Sequence, residues 1–294
     1  MISGGRSLFS KIITALLLGA VLYSCSEGDS PTNPSSVEYT QIDFDAAWSS
    51  DGRRIAFIHN DLDGELTGLY VMDSSGSNKV QIVQGNVTSP DWSPADTAIA
   101  FEAGGSLYVY SLLNNAIRSL VIGPGAVTVR WNHSNGKIAY IQNSKLIVSN
   151  SDGSLPLLID QGCAWPAWAN YGDNLYYFKP STGSGGIQNG DSLFIYFPAL
   201  NTRQFLLAMS ETGYSANTHL SVSGADAYFS RTYADASSYI FDAPNSSSPQ
   251  KIISSLSYAP DCSRSGRLIY TNRTRGDGRI WIREVNGAER KLIY

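Results

Sequence analysis

Cysteine and histidine are scarce in this sequence, three of each in 294 residues. So few exclude a disulfide-rich scaffold and leave no metal-ligand spacing of the CxxC or HExxH kind. Charge is also sparse: Asp, Glu, Lys and Arg make up 16%, and 21 basic against 25 acidic side chains give a formal charge of −4. A nucleic-acid partner is not expected, because phosphate neutralisation needs a basic excess. No apolar run reaches the length of a membrane-spanning helix. What the chain does have is 27 Gly, 17 Tyr and 6 Trp within a 43% apolar composition. That mixture suits many short strands joined by tight turns.

The N-terminus reads as a targeting segment. Arg6 and Lys11 precede an almost unbroken apolar run from Ile12 to Tyr23, too short to cross a bilayer but right for the core of a signal peptide. The run ends in Leu22-Tyr23-Ser24-Cys25, which resembles the lipobox of bacterial lipoproteins. The resemblance implies cleavage before Cys25, a diacylglyceryl group on its thiol and an acyl group on the new amine; the alternative is an ordinary secretory signal with an incidental Cys. On the lipoprotein reading residues 1–24 are signal peptide and 294 − 24 = 270 residues remain. Residues 25–37 form a lipidated flexible tether, since Ser26 to Ser36 carries two Pro and no hydrophobic side chain. Ser26 after the Cys, where Asp would signal retention, implies the outer membrane, on its periplasmic side or at the cell surface.

The rest of the chain, residues 38–294, is a repeat. Trp48 to Phe57 reads WSSDGRRIAF, Trp92 to Phe101 WSPADTAIAF, Trp131 to Tyr140 WNHSNGKIAY and Trp168 to Tyr177 WANYGDNLYY. Two degenerate copies are aligned with Leu220 and Asp261 at the Trp position. The anchors are then 44, 39, 37, 52 and 41 residues apart, in the range of a four-stranded propeller blade of ~40–45 residues. Each unit also carries a second run, such as Leu69 to Met72 (LYVM) and Leu107 to Tyr110 (LYVY), apolar at successive positions. Strands covered on both faces require that pattern. The W-S-x-D-G-x-x-I-A-F unit followed by L-Y-V-M-D resembles the WD40-like (PD40) repeat of TolB-type β-propellers, and the resemblance implies an all-β, six-bladed β-propeller with four-stranded blades. Between Cys25 and the first blade there is room for a tether only, so the α/β domain of TolB-type proteins is not expected.

Length varies unevenly among the units. From anchor to second strand the alignment gives 7 residues throughout, whereas from second to third strand it gives 14, 8, 8, 18, 12 and 12. Insertions gathered on one face of a repeat protein mark a binding face. Unit four is the outlier, and its stretches Lys179 to Asp191 and Met209 to Thr218 are expected as loops that offer Lys179, Asp191, Glu211, Tyr214 and Asn217 to a partner.

The remaining motifs dissolve into the repeat. Asp61-Leu62-Asp63-Gly64-Glu65 lacks the ligand pattern of an EF-hand. Arg275-Gly276-Asp277 falls at the matching turn of unit six, and Gly213 to Asn217 lacks the closing Gly and the strand-to-helix setting of a nucleophile elbow. His59, His133 and His219 lie in different units and are expected as solvated turn residues. Cys163 and Cys262 are expected to stay unpaired. No cofactor, metal ligand set or catalytic residue is expected, and two functions stay open. The first is a membrane-anchored cell-envelope lipoprotein whose propeller is a non-enzymatic module binding a protein or a glycan. The second is a propeller enzyme or small-ligand sensor with its site at the central channel mouth, which convergence of three or more acidic or His side chains on the channel would favour.

Overall fold

A computed structural model of the protein describes residues 41–61, 63–182, 188–209, 214–244, 247–274 and 278–293. Contacts divide the chain into two units, Met1–Glu38 and Tyr39–Tyr294. The first unit, with the expected signal peptide, Cys25 and tether, lies outside the described residues, as do Glu211 and the Arg275-Gly276-Asp277 turn.

The second unit is all-β: six four-stranded antiparallel sheets, each from consecutive strands, form a six-bladed propeller. Blade one holds β1 (Gln41–Trp48), β2 (Arg54–Asp61), β3 (Gly68–Asp73) and β4 (Val80–Gln84). Blade two holds β5 (Thr88–Trp92), β6 (Ala98–Ala103), β7 (Ser106–Ser111) and β8 (Ala116–Ser119). Blade three holds β9 (Ala126–Trp131), β10 (Ile138–Gln142), β11 (Lys145–Ser149) and β12 (Leu157–Gln161). Blade four holds β13 (Ala164–Trp168), β14 (Leu175–Thr182), β15 (Gln188–Phe197) and β16 (Thr202–Met209). Blade five holds β17 (Tyr214–Ser223), β18 (Asp226–Tyr233), β19 (Ser238–Ala243) and β20 (Gln250–Ile253). Blade six holds β21 (Ser257–Cys262), β22 (Leu268–Asn272), β23 (Arg279–Arg283) and β24 (Glu289–Lys291).

The unbroken apolar runs are explained by what lies on either side of each strand. Ile55 and Phe57 of β2 pack with Ile269, Ile280 and Ile282 of blade six, while Ala56 and Ile58 pack with Trp92, Ile99 and Phe101 of blade two. Every junction is built this way, so the core is divided among the gaps between blades. Among the described residues no strand is exchanged between blades six and one. Apart from apolar packing, closure uses Trp48 N to Asp261 Oδ2 at 2.8 Å and Asp43 N to the Gly278 carbonyl at 2.7 Å. Arg279 also donates to Asp43 Oδ2 at 2.7 Å, and the Arg267 guanidinium lies 4.4 Å from the Trp48 ring.

Each inner strand is interrupted by a non-glycine residue in the left-handed region: Asp45, Ser89, Thr128, Trp165, His219 and Ala259, with φ between 50 and 55°. A bulge accompanies each and turns the strand along the channel wall. Counting three residues on from that landmark gives Trp48, Trp92, Trp131, Trp168, Val222 and Cys262. These pair with Ile55, Ile99, Ile138, Leu175, Ala227 and Leu268. The anchors of units five and six are therefore Val222 and Cys262 instead of Leu220 and Asp261. Their distances to the second strand, 5 and 6 residues, depart from the constant 7 of the sequence alignment. In blade five the chain turns in two residues, Gly224-Ala225, which the left-handed φ of 63° at Gly224 permits.

The described ends of the long stretch of unit four, Lys179 to Thr182 and Gln188 to Asp191, are strand rather than loop. Pairing of β14 with β15 runs from Leu175↔Tyr196 to Thr182↔Gln188, 7 residues along β14, against 4 along β10 in blade three. Three further residues at about 3.3 Å each lift this hairpin about 10 Å beyond its neighbour.

Candidate functional site

Antiparallel blades place the turns between first and second strands on one face of the disc. The loops between second and third strands and the connections between blades open on the other. Two residues after each left-handed landmark stand Ala47, Asp91, Arg130, Ala167, Ser221 and Asp261, and all six line the central channel. Toward the turn face the channel opens into a cavity bordered by Trp48, Trp131, Trp168, His133, Asn170 and Arg264. A second, smaller cavity is bordered by Asp45, Ser89, His219 and Ala259. Both cavities share Asp91, Arg130 and Asp261.

The channel carboxylates are engaged in joining blades. Asp45 Oδ2 accepts from Ser89 N at 3.0 Å, Asp261 Oδ2 from Trp48 N at 2.8 Å, and Asp91 Oδ2 from Trp131 N. Burial pushes Asp91 up to about 7 against the pull of Arg130 and the Trp131 N–H, and the Asp261 charge adds to the rise. Burial raises Asp261 as well. The Arg130 charge opposes the rise at both carboxylates.

The three histidines are not solvated turn residues. His59 on β2 is buried, with Nδ1 2.7 Å from Asp43 Oδ1. His219 on β17 lies with its ring 4.1 Å from that of Trp165 and Nε2 3.7 Å from Asp45 Oδ1; burial lowers it to about 4. His133 does occupy a turn, yet that turn borders the cavity, and burial together with the nearby Arg264 charge lowers it to about 4. The expectation failed because a ring folds inner strands and turns from separate units onto one axis. Both channel histidines are neutral near pH 7.

His133 Nδ1 hydrogen bonds Ser50 Oγ. Asp96, the acid beside this pair, accepts the backbone N–H groups of Ser50 and Asp51 at 2.7 and 3.0 Å. Among the described residues no carboxylate bonds the His133 ring, so the pair lacks the orienting acid of a serine nucleophile relay. Among the described residues, too, no three His, Cys, Asp or Glu side chains are grouped to hold a metal ion.

Of the residues expected to face a partner, Lys179, Asp191, Tyr214 and Asn217 lie near the opposite face, in strands. Asp191, on β15 and only 3% exposed, accepts Asn217 N of blade five at 2.7 Å. Asn217, on β17 and 4% exposed, accepts from Arg231 Nε at 2.9 Å through Oδ1. These two meet as a link between blades four and five. Lys179, on β14, turns away from them, its Nζ 3.0 Å from both carboxylate oxygens of Asp160 on blade three. Tyr214 begins β17. Cys163 and Cys262 are buried and free, and burial pushes both thiols up to about 12.

Sequence reasoning missed Asp91 and Arg130 and took Asp261 for an anchor. The signal was a column, the residue just before each true anchor, which reads Ala, Asp, Arg, Ala, Ser, Asp. It becomes visible only when units five and six are in register.

No protein-family model and no curated protein sequence matches the chain. Among solved structures it is similar to TolB from Acinetobacter baumannii, with TM-score 0.67 and 14% identity over 83% of this chain and 64% of that one. It is similar to an oligogalacturonate lyase in complex with manganese, with TM-score 0.56 and 13% identity over 87% and 79% of the two chains. A chain of the nidogen/laminin complex matches with TM-score 0.60 and 9% identity over 86% and 94%. The chain spans under two thirds of the length of the Acinetobacter TolB chain. At these identities the likeness is one of fold, a TolB-like six-bladed propeller.

Proposed function

We propose that this protein is a cell-envelope lipoprotein, held at the outer membrane by acyl groups on Cys25 and presenting its propeller as a non-enzymatic binding module for a protein or glycan partner. The observation carrying the binding part is the β14–β15 hairpin, which stands above its neighbour on the face where second-to-third loops open. A hairpin that stands above that of blade three gives a partner a lateral stop on that side. That a propeller of this fold occurs in a nidogen/laminin complex agrees with a protein partner. Crosslinking in the native envelope, with and without residues 181–189, tests the reading. Loss of the captured partner on deletion is the expected result, and capture of the same partner at undiminished yield would remove it.

One observation favours a second reading, a small-ligand sensor or enzyme. Asp45, Asp91, Asp261, His133 and His219 all border the channel cavities. Because the aspartates are spent on blade junctions and the Ser50–His133 pair has no orienting acid, this convergence supports ligand binding over catalysis.

A further inference from the structure

Arg130 is unlike the other charged groups of the channel. Asp45, Asp91 and Asp261 each hold a backbone N–H of a neighbouring blade. Among the described residues the Arg130 guanidinium makes one hydrogen bond, from Nη1 to the Val129 carbonyl at 2.8 Å, and no ion pair. Arginine has five N–H donors in a planar fork, so four remain for another acceptor. The side chain is partly buried and borders both cavities. Its charge acts on Asp91 of blade two, His219 of blade five and Asp261 of blade six, all from blade three. A guanidinium felt on so many sides stands near the channel axis, within reach of anything that enters.

At the turn-face mouth stands a second arginine. Arg264 is exposed, borders the same cavity and has no ion-pair partner among the described residues. Two arginines thus face this cavity together with two carboxylates, Asp91 and Asp261, and burial leaves Asp91 only partly ionised near pH 7. His133 there is neutral. Both carboxylates already hold a backbone N–H of a neighbouring blade, Asp91 that of Trp131 and Asp261 that of Trp48. A planar fork with free donors matches a carboxylate in two parallel N–H···O bonds.

We infer that the channel is a carboxylate-binding site, entered from the turn face past Arg264, in which the free fork of Arg130 grips the ligand's carboxylate. The inference rests on the reading of the channel as a ligand site and names the chemical class of the ligand. A carboxylate can arrive on an acidic sugar or at a peptide C-terminus, and the shared group is what Arg130 recognises.

Calorimetric titration of the mature protein with D-glucuronate and with N-acetylglycylglycine separates these sources. D-glucose and N-acetylglycylglycinamide serve as uncharged counterparts. Binding of at least one acid, with its counterpart weaker by about tenfold or more, is expected. Arg130→Gln should lose about tenfold in affinity for that acid and Arg130→Lys less, since it keeps charge but not the fork. Equal binding of acid and counterpart, or full affinity in an Arg130→Gln protein of unchanged melting temperature, would overturn the carboxylate assignment while leaving the channel a ligand site. Absence of binding by all four probes would overturn both.

Discussion

Asp261 Oδ2 accepts the backbone N–H of Trp48 at 2.8 Å across 213 residues of sequence, joining the last blade to the first. The same carboxylate takes the Ser221 hydroxyl at 2.9 Å through Oδ1, and Ser221 Oγ in turn accepts Cys262 N at 3.0 Å. One side chain thereby gathers blades one, five and six. Asp261→Ala strands the Trp48 N–H and unhooks Ser221, so a loss of about 2–3 kcal/mol is expected. Asp261→Asn keeps an acceptor for Trp48 and can donate to Ser221, so it should cost less. Urea unfolding of the two variants checks the order.

Asp91 makes stability depend on pH in an unusual direction. Its folded value, about 7, lies above the ordinary 3.8, so the native state binds the proton more tightly than the unfolded chain does. Its contribution is full below pH 4 and is lost as pH rises toward 7. His133 and His219 act oppositely, since their folded values of about 4 lie below 6.5 and stability falls as pH drops from 6.5 to 4. The two effects overlap, so the whole-protein curve hides both. Subtracting the Asp91→Asn curve from the wild-type curve should isolate a difference that turns against wild type between pH 4 and 7. A flat difference would show that Asp91 ionises normally.

Burial also decides the thiols. With Cys163 and Cys262 buried and both pushed up to about 12, neither supplies thiolate at pH 8. A soluble Tyr39–Tyr294 fragment should react with no aromatic disulfide reagent while native and should release two thiols on denaturation. Fast reaction of the native protein would contradict the packing of blades three to six around these residues.

How much of this was legible beforehand follows from what repeats and what does not. The Trp48, Trp92, Trp131 and Trp168 units share spacing and chemistry because each tryptophan fills the same slot between blades, and strand order could be read from them, while the blade number of six needs the two degenerate copies as well. At the corresponding slots of blades five and six Val222 and Cys262 are small, and shorter turns shift the spacing, so the alignment slipped there. That slip hid the channel column. Lys179 and Asp191 were read as loop residues because a 13-residue stretch looks the same whether it is slack or a tall hairpin. Pairing partners, which a single sequence does not supply, separate the two.

Anchoring yields the last prediction. Two or three acyl chains, at about 0.8 kcal/mol per buried CH₂, hold a protein at a bilayer essentially without release, whereas one chain does so only marginally. If Cys25 carries them, Cys25→Ala removes the modified thiol and the processing site together. The variant should take up no fatty-acid analogue, keep its signal segment or be cut elsewhere, and move from the washed membrane fraction to the soluble one if cleaved. Membrane attachment that survives both a salt and a carbonate wash in a cleaved Cys25→Ala protein would mean that some other segment does the anchoring, and the lipoprotein reading would fall.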